Sequence, residues 1–339
     1  MIMKKAIVTG INGQDGAYLS KLLIDKGYEV YGALRRSSER SSFRNKLINT
    51  DNFIKYIDFE LSEYSQIQNT VKDIKPDLFF NLAAMSFVGT SFDQPLYTHE
   101  VNALGAIRIL ESIRHFSPNT KFYQASTSEM FGLVQEVPQS EATPFYPRSP
   151  YGVAKLSAHW QVINYRESFG LFASNGILFN HESPLRGDEF VTKKIVKALN
   201  KIKNNQQEFL VLGNLNAQRD WGYAGDYVEA MYRIITHSKP DDFVVGTGET
   251  HSVREFVDIA SSYYGFNIEW VGENENEVGI DKDTGKQIVK VSPDFYRPAE
   301  VDLLISDPSK IKHELGWKSE TSFENLVEMM ARFEENKSL

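Results

Sequence analysis

The fold is decided near the N-terminus by the stretch KKAIVTGINGQDGAYLSKLLIDKGYEVYGAL, residues 4–34. Residues 4–9 are an apolar run that predicts a strand, and the leucines that follow the glycines share one face of a predicted helix. Gly27 is expected to end that helix, and residues 28–34 predict a second strand. A strand–helix–strand unit of about thirty residues with glycines in its first turn is typical of a dinucleotide-binding α/β fold.

The glycine-rich turn is the candidate pyrophosphate site. Gly10, Gly13 and Gly16 give the spacing G-x-x-G-x-x-G between the strand and the helix. Glycines at this place let the backbone approach a pyrophosphate, and the helix N-terminus offers oriented N–H groups. The turn therefore predicts dinucleotide binding.

The end of the second strand indicates which dinucleotide is bound. Enzymes that use NAD usually have Asp or Glu there for the ribose hydroxyls. This chain instead has Arg35, Arg36, Ser37 and Ser38. Two guanidinium groups and two hydroxyls suit a 2′-phosphate, so NADP is predicted, with a solvated basic loop as the alternative.

Predicted strands and helices alternate through the first half of the chain. Apolar runs predict strands at 52–61, 77–84 and 172–179, with helices at 64–74 and 95–116. This alternation predicts a Rossmann-type doubly wound parallel α/β sheet, followed by a smaller C-terminal α/β domain. We assign residues 1–180 to NADP binding, with segments at about 209–250 returning to that domain, and residues 181–339 mainly to substrate binding. Two segments, 180–187 and 280–288, are polar enough to predict loops outside the packed core.

The candidate catalytic groups follow the predicted strand at 121–125. Thr127 and Glu129 lie just past it, where open α/β sheets place their ligands. Ser149 and Pro150 are a good N-cap and first residue for the next helix, on which Tyr151 and Lys155 share one face. An ammonium group beside a phenol favours the phenolate, although an ordinary surface pair is the alternative. Together the four groups suit proton transfers on a sugar while a nicotinamide moves a hydride.

Composition excludes several classes of function. The net charge of −8 is spread without long single-sign runs, which argues against nucleic-acid and anionic-membrane partners. There is no cysteine, so disulfides and thiolate chemistry are excluded, and we predict no metal site. With no signal-peptide pattern at the N-terminus and no apolar run of spanning length, we expect a cytoplasmic protein. Cations of the second half, among them Lys193, Lys194, Arg219 and Arg297, are candidate phosphate ligands.

The chain resembles the extended short-chain dehydrogenase/reductases and, more narrowly, the GDP-mannose 4,6-dehydratase family. The resemblance rests on residues 10–16, 35–38, 126–129 and 151–155, and on NHESPLRG (180–187), QRDWG (218–222) and YRPAEVD (296–302). It implies a lyase of deoxysugar and surface-polysaccharide biosynthesis that recycles NADP. It also implies a dimer or homotetramer, in which the 35–44 loop reaches a neighbour's cofactor.

The resemblance also implies a role for individual residues. Tyr151 would take the C4 hydroxyl proton, with Lys155 and Thr127 beside it, and Glu129 would remove the C5 proton. The NADP site would comprise Gly10, Ile11, Asn12, Gly13, Gln14, Asp15, Arg35, Arg36, Ser37, Ser38, Glu60, Leu61, Leu82, Ala83, Ala84, Met85, Ser86, Tyr97, Lys155, His181 and Arg186. The GDP-sugar would meet Met85, Ser86, Asn180, Lys194, Arg219, Arg297 and Glu300.

Two departures from the family pattern leave more than one sugar as a candidate substrate. Met85 stands where the family usually has glutamine, which removes hydrogen bonds from the expected sugar pocket. Phe59 and Glu60 replace the usual glycine and aspartate near the adenine. GDP-mannose and GDP-manno-heptose are therefore both candidate substrates. The alternative activities are a nucleotide-sugar 4-epimerase or reductase, which does not need Glu129 for dehydration, and a non-catalytic dinucleotide sensor.

Overall fold

The computed structural model of the protein describes residues 3–36, 42–295 and 303–337. In these ranges the strands are β1 Lys5–Thr9, β2 Glu29–Leu34, β3 Ile54–Asp58, β4 Leu78–Asn81, β5 Lys121–Thr127, β6 Ala173–Leu178, β7 Asn180–Glu182, β8 Leu210–Leu212, β9 Gln218–Arg219, β10 Trp221–Tyr223, β11 Asp242–Val245, β12 His251–Ser252, β13 Ile268–Val271, β14 Val278–Asp281 and β15 Gln287–Val291. The α-helices are α1 Gln14–Asp25, α2 Phe43–Leu47, α3 Tyr64–Ile74, α4 Val88–Asp93, α5 Pro95–His99, α6 Gly105–Phe116, α7 Pro150–Phe169, α8 Val191–Lys203, α9 Ala224–Thr236, α10 Val253–Tyr263, α11 Ser309–Leu315 and α12 Phe323–Lys337. None of these helices is long and apolar enough to cross a membrane.

The larger sheet is parallel throughout, with its strands in the order β11-β6-β5-β4-β1-β2-β3. β1 pairs with β2 on one side and with β4 on the other, so the strand order reverses at this point. Crevices that bind ligands in open α/β sheets lie at the carboxyl ends of the strands beside such a reversal. The predicted Rossmann-type doubly wound sheet is confirmed.

Helices cover both faces of this sheet because its strands are apolar on both sides. Ala6, Ile7 and Val8 of β1 are fully buried, as expected for a strand with a helix layer on either face. One face packs against α1 and α9, and the other against α3, α6 and α7. This packing fixes the carboxyl ends of β1, β4 and β5 beside one another.

The smaller unit has its own core. Helices α8, α10 and α12 pack on a four-stranded sheet in the order β13-β14-β15-β8. Of the segment predicted to return to the first domain, β11 joins the large sheet and α9 packs against it, whereas β8 joins the small sheet. The pairs β7–β10 and β9–β12 make two further short sheets.

The segments 280–288 and 95–116 differ from their predicted structure. The segment 280–288, predicted as an exposed loop, contributes to the antiparallel strands β14 and β15, and Ile288 is fully buried. Its charges lie in the turn between them, where Asp281 accepts a hydrogen bond from the Thr284 hydroxyl at 2.6 Å. The helix predicted at 95–116 is interrupted by a π-helical turn, Glu100–Leu104, between α5 and α6.

Candidate active site

The four candidate catalytic side chains are brought together by one strand–helix connection. β5 ends at Thr127, a single 3₁₀ turn carries Glu129, and the Thr127 hydroxyl accepts a hydrogen bond from the Glu129 N–H at 3.3 Å. Ser149 caps α7 as predicted, since its hydroxyl accepts from the Gly152 N–H at 3.0 Å. A Cβ on Gly152 would lie 2.8 Å from the Glu129 carbonyl oxygen, so the start of α7 packs directly against the turn.

These side chains form one wall of a cavity of about 570 Å³. We call Thr127, Glu129, Tyr151 and Lys155 the catalytic wall. The cavity is also lined by residues predicted to bind the cofactor, namely Asp15, Leu82, Ala84, Ser86, His181 and Arg186. The lining also includes residues predicted to bind the sugar nucleotide, namely Asn180, Lys194 and Arg219.

Burial governs the ionisation of the phenol and the ammonium group. The Lys155 Nζ donates to the Ala125 carbonyl at 2.8 Å and lies 5.9 Å from the centre of the Tyr151 ring. Burial lowers the pKa of Lys155 to about 8. Burial also raises the pKa of Tyr151 far above its usual value, against the opposing effect of the Thr127 hydroxyl. For these side chains by themselves, burial favours the neutral phenol of Tyr151, and the effect of Lys155 on its pKa stays a prediction.

Two glycine positions of the turn, Gly10 and Gly16, have no room for a side chain. Gly10 has a φ of +69°, and a Cβ there would lie 3.0 Å from the Ala83 backbone nitrogen. A Cβ on Gly16 would lie 2.3 Å from the Gly10 carbonyl oxygen. The turn therefore holds β1, α1 and the end of β4 at backbone distance. The N-cap of α1 is Gly13, which provides no side-chain cap, so the geometry fits a dinucleotide pyrophosphate.

The segment 180–187, predicted as a polar loop outside the core, is largely buried and tied to the glycine turn. The Gln14 side chain donates to the His181 carbonyl at 3.0 Å and accepts from the Ser183 hydroxyl at 2.7 Å. The His181 Nε2 lies 2.9 Å from an Asp15 carboxylate oxygen. Burial alone would raise the pKa of Asp15, but the charge of His181 lowers it below its usual value. The polar side chains thus satisfy one another within the structure rather than face solvent.

Several predicted cofactor residues lie beyond the cavity wall. The Arg35 Nη1 donates to the Tyr97 hydroxyl at 2.9 Å, and Arg36 is exposed. Leu61 is buried beside Glu60, whose N–H donates to the Gln66 side chain at 2.8 Å. Four predicted site residues lie outside the described ranges: Ser37, Ser38, Arg297 and Glu300.

The structure does not place Met85 where the sequence suggested. Ala84 and Ser86 line the cavity, but Met85 does not, and it packs against the core cluster on one face of the large sheet. The Asn102 side chain accepts from the Met85 N–H at 2.8 Å and donates to its carbonyl at 3.1 Å. Asn102, which lies in the π-helical turn, was missed by the sequence analysis. The sequence feature that could have indicated its role is a polar residue on an otherwise apolar helix face.

The cavity is also lined by two cations and an aromatic ring, of which Arg219 is buried and Lys194 half-buried. The Lys194 Nζ lies 3.7 Å from the centre of the Phe295 ring, and burial lowers the pKa of this lysine. Arg219 is buried and its Nη1 donates to the Gln218 carbonyl at 2.8 Å. We call Lys194, Arg219 and Phe295 the cationic wall. Lys193, also a predicted phosphate ligand, instead pairs with Glu334 and donates to the Pro184 carbonyl, so that prediction is wrong.

Comparison with known proteins identifies the family. The sequence profile of the family described as GDP-mannose 4,6 dehydratase matches residues 7–330. The chain belongs to this family. The GDP-mannose 4,6-dehydratase of Sinorhizobium fredii is 50% identical over 338 residues, covering 97% of this chain and 96% of the relative. The human GDP-mannose 4,6 dehydratase is 49% identical over 333 residues, covering 96% of this chain and 90% of the relative.

Solved structures of more distant proteins share the fold of this family member. The UDP-glucose 4-epimerase of Thermus thermophilus in complex with NAD aligns with a TM-score of 0.81 and 22% identity, covering 97% of this chain and 98% of that one. Bacillus anthracis dTDP-glucose 4,6-dehydratase in complex with NAD aligns with a TM-score of 0.81 and 18% identity, covering 99% of this chain and 97% of that one. At these identities the comparison supports the Rossmann-type architecture and no more.

Proposed function

We propose that the protein is a GDP-sugar 4,6-dehydratase that converts GDP-mannose into GDP-4-keto-6-deoxymannose with a recycled NADP. The observation that carries this proposal is the presence of Glu129 beside Tyr151 and Thr127 on one wall of a cavity that also reaches Lys194 and Arg219. A carboxylate in this position is what dehydration needs in addition to the groups of a simple alcohol dehydrogenase. Family membership supports the same reaction.

Each side chain has a part in the proposed proton transfers. A nicotinamide cofactor held by the glycine turn and Lys155 would supply reversible hydride transfer for oxidation at C4 and reduction at C6. Tyr151, as the phenolate, accepts the C4 hydroxyl proton, and Thr127 holds the C4 oxygen by a hydrogen bond. Glu129 removes the C5 proton, which the new C4 ketone has made acidic, and delivers it to the C6 hydroxyl as that group leaves as water. When C6 takes up hydride, C5 regains a proton from solvent through Glu129, and Tyr151 releases the C4 proton to solvent. Positioned acid–base groups of this kind each contribute roughly 10²–10⁴ in rate.

Lys155 and the glycine turn support cofactor binding in this proposal. Lys155 reaches the cavity from α7, where its ammonium group can donate to a ribose hydroxyl. The tight turn at Gly10 and Gly16 suits the pyrophosphate. We further propose NADP rather than NAD, on the chemistry of Arg35 and Arg36 at the end of β2, which suits a 2′-phosphate.

The choice of sugar depends on the pocket around C6. The argument from Met85 for GDP-manno-heptose loses its support, since this side chain does not line the cavity. GDP-mannose is therefore the proposed substrate, with GDP-manno-heptose as the variant to be tested beside it. A 4-epimerase or reductase is the competing activity, and the position of Glu129 favours the dehydratase over it.

Product analysis tests the proposal directly. Pure protein is incubated with catalytic NADP⁺ and with either GDP-mannose or GDP-manno-heptose, and the masses of the products are measured by mass spectrometry. Loss of one water from the sugar nucleotide identifies a dehydratase, and the faster substrate names the sugar. Unchanged mass, with an altered C4 configuration in the NMR spectrum of the product, would replace this proposal with the epimerase. No reaction with either sugar, while cofactor binds, would favour the sensor.

We propose a division of roles between the two halves of the chain. Residues 1–180, with α9 and β11, bind the cofactor, and residues 181–339 mainly bind the nucleotide of the sugar. A homodimer or homotetramer is part of the proposal, because the family resemblance implies such an assembly. Sedimentation of the pure protein with and without NADP⁺ tests the assembly.

A further inference from the structure

Asp220 lies between two cavity-lining residues but does not face the cavity. Its neighbours Arg219 and Trp221 both line the cavity, one at the end of β9 and the other at the start of β10. Successive side chains of an extended chain point to opposite sides, so Asp220 is directed into the protein, where it is fully buried. A carboxylate in such a place is stable only if its oxygens are well hydrogen-bonded.

The Asp220 carboxylate connects its own segment of the chain to two others, at residues 247–248 and at Ser306. Its Oδ1 accepts from the Thr247 N–H at 2.9 Å and from the Thr247 hydroxyl at 2.7 Å. Its Oδ2 accepts from the Gly248 N–H at 3.1 Å, from the Ser306 N–H at 3.1 Å and from the Ser306 hydroxyl. Thr247 and Gly248 follow β11, the edge strand of the large sheet. The carboxylate therefore connects the chain at Arg219 to the cofactor-binding sheet.

The backbone and the packing around this carboxylate leave little freedom. The Asp220 N–H donates to the Leu304 carbonyl at 3.1 Å, and the Leu304 N–H donates to the Gln218 carbonyl at 3.4 Å. A Cβ on Gly246 would lie 2.2 Å from the Ser306 hydroxyl oxygen, so the serine is held against the carboxylate. The position of Arg219 is consequently set by contacts made on the other side of its own strand.

We propose that Asp220 is a positioning residue for the nucleotide end of the cavity. It fixes Arg219 and Trp221 relative to β11, so that the cationic wall stands at a set distance from the catalytic wall. This role rests on the proposed function, in which Arg219 meets the diphosphate of the GDP-sugar. A carboxamide at this position replaces one acceptor oxygen by a donor and opposes the Ser306 and Gly248 N–H groups.

The test compares two aspartates of similar chemistry. Asp226 also accepts backbone N–H groups, from Glu320 at 3.0 Å and Thr321 at 2.9 Å, but it is not among the described residues that line the cavity. GDP binding is measured by calorimetry for the wild type, Asp220→Asn and Asp226→Asn, together with NADP⁺ binding and thermal stability. We expect Asp220→Asn to weaken GDP binding about tenfold or more, since small misplacement of a binding group is costly, and NADP⁺ binding to stay within about twofold.

The outcomes separate positioning from general stability. Asp226→Asn should lose thermal stability but bind GDP within about twofold of the wild type. Equal weakening in both variants, or unchanged GDP binding in Asp220→Asn, would overturn the positioning role. If Asp220→Asn does not fold, Ser306→Ala removes one hydroxyl donor alone and should weaken GDP binding by about threefold. A wild type that does not bind GDP at all would contradict the proposed function and this role with it.

Discussion

The two walls of the cavity are assembled in different ways. The catalytic wall comes from a single connection, in which β5 runs into a 3₁₀ turn and then, after one loop, into α7. The cationic wall draws Lys194 from α8, Arg219 from β9 and Phe295 from a turn after β15. The first wall is fixed by local contacts such as the Ser149 cap, and the second by long-range contacts such as those of Asp220. We therefore expect substitutions in the catalytic wall to change turnover, and substitutions in the cationic wall to change binding.

Tyr151→Phe should have the largest effect, since it removes the acceptor of the C4 proton. We expect turnover to fall by about 10³-fold or more, with GDP binding close to that of the wild type. Turnover of GDP-mannose is measured by mass spectrometry and GDP binding by calorimetry. Wild-type turnover in this variant would remove Tyr151 from its proposed role.

Glu129→Gln should separate the two halves of the reaction. The amide cannot remove the C5 proton, so exchange at C5 with deuterated water should fall by roughly 10²–10⁴, while C4 oxidation and cofactor binding persist. Exchange is followed by mass spectrometry, and reduction of the nicotinamide by its absorbance. Exchange at the wild-type rate would show that another group acts as the base.

Lys194→Ala should affect binding and leave the chemical step nearly intact. Removing the ammonium group should weaken GDP binding by about tenfold, as for loss of a charge-assisted hydrogen bond, and kcat should change by less than about threefold. Lys193→Met is the matched control, because the adjacent Lys193 pairs with Glu334 within the protein. The control should lower stability without weakening GDP binding, and the reverse pattern would exchange the roles of the two lysines.

The lowered pKa of Lys155 should make a small contribution to the pH dependence of the free energy of unfolding. Its pKa is lowered by burial to about 8 in the folded protein, whereas the unfolded chain keeps the ordinary value of 10.5. Between these values the unfolded state binds more protons, so stability should rise with pH. Urea unfolding from pH 8 to pH 9 should show a gain of roughly 1 kcal/mol in the wild type. Lys155→Met lacks this group and should not show the gain, so parallel profiles would contradict the lowered pKa.

Local patterns carried a large part of the prediction. The glycine turn, the alternation of strands and helices, and the Ser149–Pro150 start of α7 are each set by interactions within a few residues. The predicted helix at 64–74 coincides with α3 for the same reason. Wrong predictions arose where a distant partner decides the outcome. The polar segment 180–187 is buried because Gln14 and Asp15 form hydrogen bonds with it. Lys193 does not serve as a phosphate ligand because it forms an ion pair with Glu334, which lies on a helix far along the chain.

The sequence by itself determined the doubly wound sheet, since its elements follow from the periods of strands and helices. Its motifs carried the resemblance to the family, and they predicted the four groups of the catalytic wall. Only the tertiary structure decided which polar residues face the cavity. It packs the half-buried Met85 against the core cluster while Ala84 and Ser86 line the cavity, and it directs Asp220 away from the cavity beside Arg219. The physical reason is that hydrogen bonds and burial between distant segments set the direction of a side chain, and no local pattern encodes them.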